Sequence, residues 1–321
     1  MSKHFSAKFD KLNARFPAQE VFGEGAILHL YHAPNSVCSQ KVRAVLFQQQ
    51  RAFVSHLLNI FLGDTYDAIY VEARLSGCLE AGYALATSHG ESGEGSTSVS
   101  NTGCDPCVVP LLADVERNSF LVDSQHICFS LATSDSNGSN RLVPAQFADD
   151  IARHIEVIDN LPNYQLLATH VAGERKQGGA PDNSFARGKV ERCEKLIEQN
   201  KHDPDLVRAY TAKREKELRA ANRLFSDAEM KKAHQRMSEA IAMLETELPA
   251  DPARFLLSDH ITLADLFWGV ELIRLADLGL NTAWENGKLP KVAAYYALLC
   301  EQESLKRAII NWPDARLKKA H

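Results

Sequence analysis

No apolar run in the chain approaches the roughly 20 residues that a helical membrane span needs, so no membrane span is expected. Nor is there a strong excess of charge. Over 321 residues, 36 Lys and Arg stand against 41 Asp and Glu, a formal net charge of -5. Nucleic-acid binding calls for a basic stripe. The one clearly basic stretch, Lys213 to Arg223, is interleaved with Glu215 and Glu217, so it reads as the solvated face of a helix and no nucleic-acid partner is expected. There is no nucleotide-binding glycine loop; Gly23-Glu-Gly25 is an isolated pair. The 12 histidines form no ligand cluster, and no second C-x-x-C stands at zinc spacing, so no metal is expected. The opening, Met1 to Gln19, lacks the continuous apolar core of a secretory leader. Its Phe5, Phe9 and Phe16 suit a short helix docked on the domain.

What is present is an ordinary globular composition, 45% apolar and 24% charged, at a length that suits two domains. The seven cysteines are odd in number and widely spread. That suits free thiols in a reducing compartment, and a cytoplasmic protein is expected.

The order of elements is legible in outline. Ala26 to His32 alternates and is rich in Ile and Leu, so a strand is expected. Pro34, Asn35 and Ser36 turn the chain and cap a helix that runs to about Gln50. Phe53 to Ile60 reads as a second strand. Gly63 to Leu79 is partly helical, and Ala84 to Gly103, rich in Ser, Gly and Thr, reads as a long loop. Short strands at Val108–Leu112 and Ser119–Val122 precede a helix over Asp123–Leu131. This is the plan of a thioredoxin-like α/β domain over residues 26–134, behind an extension of residues 1–25. Ser134 to Asn140 is a polar linker. Residues 145–321 read as all-helical, with helices near 146–170, 187–200, 204–223, 226–248, 262–279 and 291–310, and an inserted helical segment at about 173–223.

Cys38 stands in the first turn of the first long helix. Unpaired backbone N–H groups and the helix dipole favour a thiolate there, and Lys41 and Arg43 add positive charge. A small residue facing the core is the other reading. Ser36 is either a cap or a hydroxyl that donates to a bound thiolate. Pro110 cannot donate to a sheet ladder, so the strand must end or expose its backbone there. A cis bond would present the Val109 backbone to a ligand. Asp123 and Ser124 open a helix after a strand, as caps or as part of an anion site. Cys104-Asp-Pro-Cys107 does not open a helix and reads as incidental. Thr262 and Asp265 have capping-box spacing at the start of an apolar helix.

Together these segments resemble the glutathione transferase superfamily. Leu28 to Arg43 (LHLYHAPNSVCSQKVR) is similar to that family's first strand, active-site turn and first helix. Val108-Val-Pro-Leu-Leu is similar to its cis-proline segment, Asp123-Ser124 to its acidic-Ser pair, and Thr262-Leu-Ala-Asp265 to its helical-domain capping motif. Ser36 to Arg43, the Ser-rich loop before Asp105-Pro106, and Ala308 to Pro313 most resemble the bacterial glutathione-dependent reductive dehalogenases. Ser39 to Arg43 and Trp284 to Lys288 also resemble the ganglioside-induced differentiation-associated proteins, which lack a cysteine at the position of Cys38 and carry a C-terminal membrane span.

The resemblance implies a homodimer that takes glutathione and a small aromatic or quinone substrate. It implies Cys38 and Ser36 as catalytic residues, and Val109, Pro110, Asp123 and Ser124 as glutathione-binding residues. A substrate pocket between the domains, walled by Tyr31, His32, Phe267 and Trp268, is expected on the general placement of ligand sites. Reductive dehalogenation leads; simple conjugation or aryl ether cleavage through Ser36, and a non-catalytic adaptor, are the alternatives.

Overall fold

A computed structural model of the protein describes residues 3–90, 98–133, 142–171 and 183–317. The chain opens with helix α1 (Lys3–Arg15) and strand β1 (Glu20–Phe22), then β2 (Leu28–His32), α2 (Val37–Gln48), β3 (Phe53–Leu57) and α3 (Ala68–Glu80). After a four-residue turn of helix, α4 (Val99–Thr102), come β4 (Leu111–Asp114), β5 (Ser119–Val122) and α5 (Ser124–Thr133). The strands form one sheet in the order β1-β3-β2-β4-β5. Only β2 and β3 are parallel. A parallel pair needs a crossover, and α2 supplies it.

The period-2 alternation of β2 splits its side chains between two cores. Leu28 and Leu30 join α2, and through it the helical domain, in one apolar cluster. Tyr31 faces the other way, among Phe5, Phe9 and Phe16 of the N-terminal segment and Tyr70 and Ala73 of α3. The extension is thus part of the first domain's packing: α1 covers the outer face, and β1 adds an edge strand paired with β3. On the same side α3 lies so close to β5 that a Cβ on Gly77 would stand 2.5 Å from the Phe120 carbonyl oxygen.

The helical half runs α6 (Ala148–Asp159), α7 (Asn163–Val171), α8 (Ser184–Gln199), α9 (Pro204–Arg223), α10 (Asp227–Glu247), α11 (Leu263–Asp277), α12 (Thr282–Glu285), α13 (Pro290–Cys300) and α14 (Glu303–Leu305), ending in a π turn at Lys306–Ile310. The single helix expected over 146–170 is two helices, because Pro162 cannot continue α6. The strand expected from Val108 starts only at Leu111, after the proline. Helix α11 is buried on nearly every face, as a central helix must be when it is apolar all round. Its start is held by Asp265, which accepts from the Thr262 N–H (2.7 Å), the Thr262 hydroxyl (2.6 Å), the Leu256 N–H (2.9 Å) and the Tyr295 hydroxyl (2.5 Å). The linker expected at 134–140 lies outside the described residues. Among those described, no helix is long and apolar enough to cross a membrane.

Two expectations fail because of partners distant in sequence. Lys213, Lys216 and Glu217 of the basic stretch are buried, not solvated: the lysines meet the Asp105 carboxylate, and Glu217 meets Lys213 and Lys189. Cys104 is bonded to Cys78 of α3 as a disulfide rather than standing free, while Cys107 is a buried free thiol.

Candidate active site

The site begins where β2 leaves the sheet. Ser36 is extended (φ -82°, ψ 123°), and its hydroxyl accepts from the Ser39 N–H at 3.4 Å. It acts as the cap that starts α2. That cap sets Cys38 in the first turn, half-buried, among N–H groups with no partner inside the helix. The Ser124 hydroxyl, at the start of α5, stands beside the thiol. Thus α2 supplies the sulfur and α5 a hydroxyl that favours its anion.

The charges around the thiol differ from those expected. Lys41 does lie beside it, but its ammonium is 2.5 Å from Asp159 at the end of α6 and sits over the Phe267 ring, 4.7 Å from the centroid. Arg43 turns away. Its guanidinium donates to the carbonyls of Pro34 (2.8 Å) and Ala308 (2.8 and 3.0 Å) and stacks on Trp312. Burial pushes the Cys38 thiol above its ordinary value, and Asp159 and Asp123 add to that; Lys41 and the Ser124 hydroxyl work against it. The low-pKa thiol expected from helix position is therefore not reached, chiefly because the thiol is buried.

Asp123 joins β5 to α5 with φ 69°, a left-handed conformation that Asp tolerates better than most residues. Its carboxylate accepts from the His126 N–H at 3.2 Å and caps α5. Burial, with Asp159 nearby, pushes this carboxyl up to about 6. The register pairs Leu111 with Val122, so the backbone just before Leu111 runs beside Asp123-Ser124. The Val109–Pro110 bond is cis. Its flanks are fixed: the Tyr70 hydroxyl donates to the Val108 carbonyl at 2.8 Å, and Arg74 donates to that of Pro110. Among the described residues no hydrogen bond engages the Val109 backbone itself. A buried peptide unit with no hydrogen bond of its own among the described residues, an acid and a hydroxyl thus lie together beside the thiol.

Most of the expected pocket wall is elsewhere. Tyr31 is fully buried under α1, its hydroxyl 2.5 Å from Asn13 and its ring stacked on His56. His32 is buried between Ser55 and Arg43. Trp268 is buried, and its indole N–H points to His154 at 3.3 Å. Only Phe267 borders the site, through Lys41. A cavity of about 730 Å³ lies elsewhere, lined by Thr87 to Gly90 and the end of α9.

Three groups near the thiol escaped the sequence reading. Glu271 is buried on α11, accepts from Asn163 at 2.9 Å, and has one oxygen without a hydrogen-bond partner. Arg274, one turn on, donates to the Asn35 carbonyl. Asp159 closes α6, where an acid opposes the helix dipole. That misplacement was the available signal, as were two charges inside the apolar run of α11.

Comparison with known proteins now bears on this arrangement. Residues 204–298 match the family described as glutathione S-transferase, C-terminal domain. The chain is 33% identical over 290 residues to a 2,5-dichlorohydroquinone reductive dechlorinase of Sphingobium indicum, an alignment that covers 88% of this chain and 82% of that one. The chain is therefore an enzyme of the glutathione transferase superfamily. Among solved structures it resembles the beta-etherase LigF of Sphingobium sp. strain SYK-6, with a TM-score of 0.58 at 15% identity, over 88% of this chain and 98% of that one. It also resembles the glutathione transferase URE2P6 of Phanerochaete chrysosporium in complex with oxidized glutathione, with a TM-score of 0.51 at 14% identity, over 88% and 95%. At those identities the likeness is one of fold.

Proposed function

We infer that the protein is a glutathione-dependent reductive dehalogenase of chlorinated hydroquinones or related aromatic substrates, and that Cys38 carries the reductive step. The observation that bears most weight is a cysteine in the first turn of α2, half-buried as a residue, whose thiol stands beside Ser124 and the Lys41–Asp159 pair. The relative named as a dechlorinase gives the substrate class.

In this reading the Val109 backbone pairs with the extended tripeptide, and Asp123 and Ser124 hold its γ-glutamyl end. The glutathione thiolate attacks the chlorine-bearing carbon of the keto tautomer of the hydroquinone. A C–S bond forms and chloride leaves with the C–Cl pair. The Cys38 thiolate then attacks the glutathione sulfur. An S–S bond forms, the S–C bond breaks, and the ring carbon keeps that pair and takes a proton. The ring gains two electrons and the two thiols lose them as a mixed disulfide. A second glutathione thiolate attacks this disulfide, releases oxidised glutathione and restores Cys38. A cytoplasmic homodimer belongs to the same reading, and light scattering checks the dimer.

Conjugation or ether cleavage through Ser36 is the second reading. The raised Cys38 thiol favours it, and the use of the Ser36 hydroxyl as a helix cap weighs against it. Mass spectrometry of the protein with glutathione and 2,5-dichlorohydroquinone separates the two. Chloride, the dechlorinated ring and a glutathione adduct on Cys38 are expected. A stable aryl thioether with no adduct would point to a conjugating transferase, and no glutathione binding at all to a non-catalytic adaptor.

A further inference from the structure

We propose that the inserted helix pair α8–α9 positions the backbone that pairs with glutathione, and does so through Asp105. This rests on the reading that Val109 receives the tripeptide. Asp105 lies four residues before Val109, inside the Cys104-Asp-Pro-Cys107 motif that the proposed chemistry leaves unused.

The segment from Asp105 to Pro110 has no regular secondary structure, so side chains must hold it. On one side α3 does so: Arg74 Nε donates to the Asp105 carbonyl at 2.8 Å, and Tyr70 and Arg74 take the carbonyls of Val108 and Pro110. On the other side stands α9. The Asp105 carboxylate meets Lys213 at 2.7 Å and Lys216 at 3.3 Å, and its second oxygen accepts from the Cys107 N–H at 2.9 Å. All three charged side chains are at most 8% exposed.

The lysines are themselves tied down. Lys213 lies 2.8 Å from Glu217, which also accepts from the Tyr164 hydroxyl and faces Lys189 at 3.7 Å. The Tyr210 hydroxyl of α9 donates to the Tyr66 carbonyl, just before α3, at 2.9 Å. A buried carboxylate cannot move far from its counter-charges without a large desolvation penalty. The place of Asp105, and with it the reach of the Val109 peptide, therefore follows the insert. Burial disfavours the Asp105 carboxylate, but the two lysines outweigh it and hold it well below the usual range, so the clamp stays charged throughout the working pH range.

Asp105→Asn removes the charge and keeps the acceptor for the Cys107 N–H, and Lys213→Met removes the nearer cation. Glutathione affinity of the full chain would be measured by calorimetry, with glutathione KM, kcat, the melting temperature and the rate of Cys38 alkylation by iodoacetamide. The expected result for either variant is a rise of about tenfold or more in both the glutathione Kd and KM, with kcat and alkylation within about twofold, the pattern of lost ground-state positioning. A lower melting temperature with unchanged Kd and KM would mean that the clamp serves stability alone, and the proposal falls. A drop in kcat at constant KM would overturn it as well. If Lys213→Met does not fold, Asp105→Asn alone decides. If the wild-type protein binds no glutathione, the reading of Val109 falls first and this proposal with it.

Discussion

Two groups of buried charge among the described residues make a contrast. In the cleft, Lys41 and Asp159 pair beside Cys38, with Glu271 and Arg274 on α11 close by. Beneath the cis-proline segment, Asp105, Lys213, Lys216 and Glu217 form a second network. The first surrounds a free thiol on a residue that is only half-buried. The second is made of ions that satisfy one another and touch no nucleophile open to solvent; Cys107 beside it is fully buried. Buried charge alone therefore does not mark a reaction centre. In the proposed reading what marks it is a nucleophile beside the network, whose ionisation burial and the network set together.

Substitutions sharpen this contrast. Cys38→Ser should lower formation of the reduced ring by a factor on the order of 10³ or more, since a nucleophile has no substitute. The aryl-glutathione adduct should accumulate instead, as read by chromatography with mass detection. Continued turnover to the reduced ring would break the comparison outright. Asp159→Asn leaves the Lys41 ammonium buried without its counter-charge, which should cost about 3–5 kcal/mol of stability in denaturant unfolding. The same change frees Lys41 to favour the Cys38 thiolate, so alkylation at neutral pH should become faster while the fold becomes weaker. Slower alkylation would show that Lys41 does not act on the thiol.

The Asp123 carboxyl, pushed up to about 6, gives a pH test. An ammonium ligand binds the deprotonated form. Glutathione affinity should therefore be full above that value and fall by up to about tenfold per pH unit below it, as calorimetry between pH 5 and 7.5 would show. A flat profile would remove Asp123 from the binding set. Ser36→Ala should cost about 1 kcal/mol, the usual worth of a helix cap, and leave the reductive step in place. A collapse of activity at intact stability would instead return the chemistry to Ser36. Last, Lys201→Ala removes an exposed pair with Glu198 at 2.8 Å and should change stability by less than about 0.5 kcal/mol.

Much of the architecture was legible because its signals are local. The turn Pro34-Asn-Ser36 followed by apolar residues at helical spacing marks a cap and a helix, and α2 starts at Val37. The helix expected over 204–223 is α9, which runs from Pro204 to Arg223. Pro110 signalled a break in a strand, and β4 begins at the next residue. Of the site, the turn bearing Ser36 and Cys38, the Val109–Pro110 peptide and the Asp123-Ser124 corner come together. Tyr31 and His32 do not line the cleft, because strand alternation and a neighbouring Arg43 turn them into the core.

The sequence by itself determined the order of most of the elements, where α2 and α9 begin, and which thiol sits at a helix start. Those depend on periodicity, caps and turn residues that act within one or two turns of chain. Only the tertiary structure decided which charges are spent. Lys41 meets Asp159 118 residues away, and Lys213 meets Asp105 108 residues away. A lysine on a helix carries no local mark of whether its face meets water or a distant carboxylate. That is settled when the helices pack, because a buried charge is tolerated only where the fold brings it a partner.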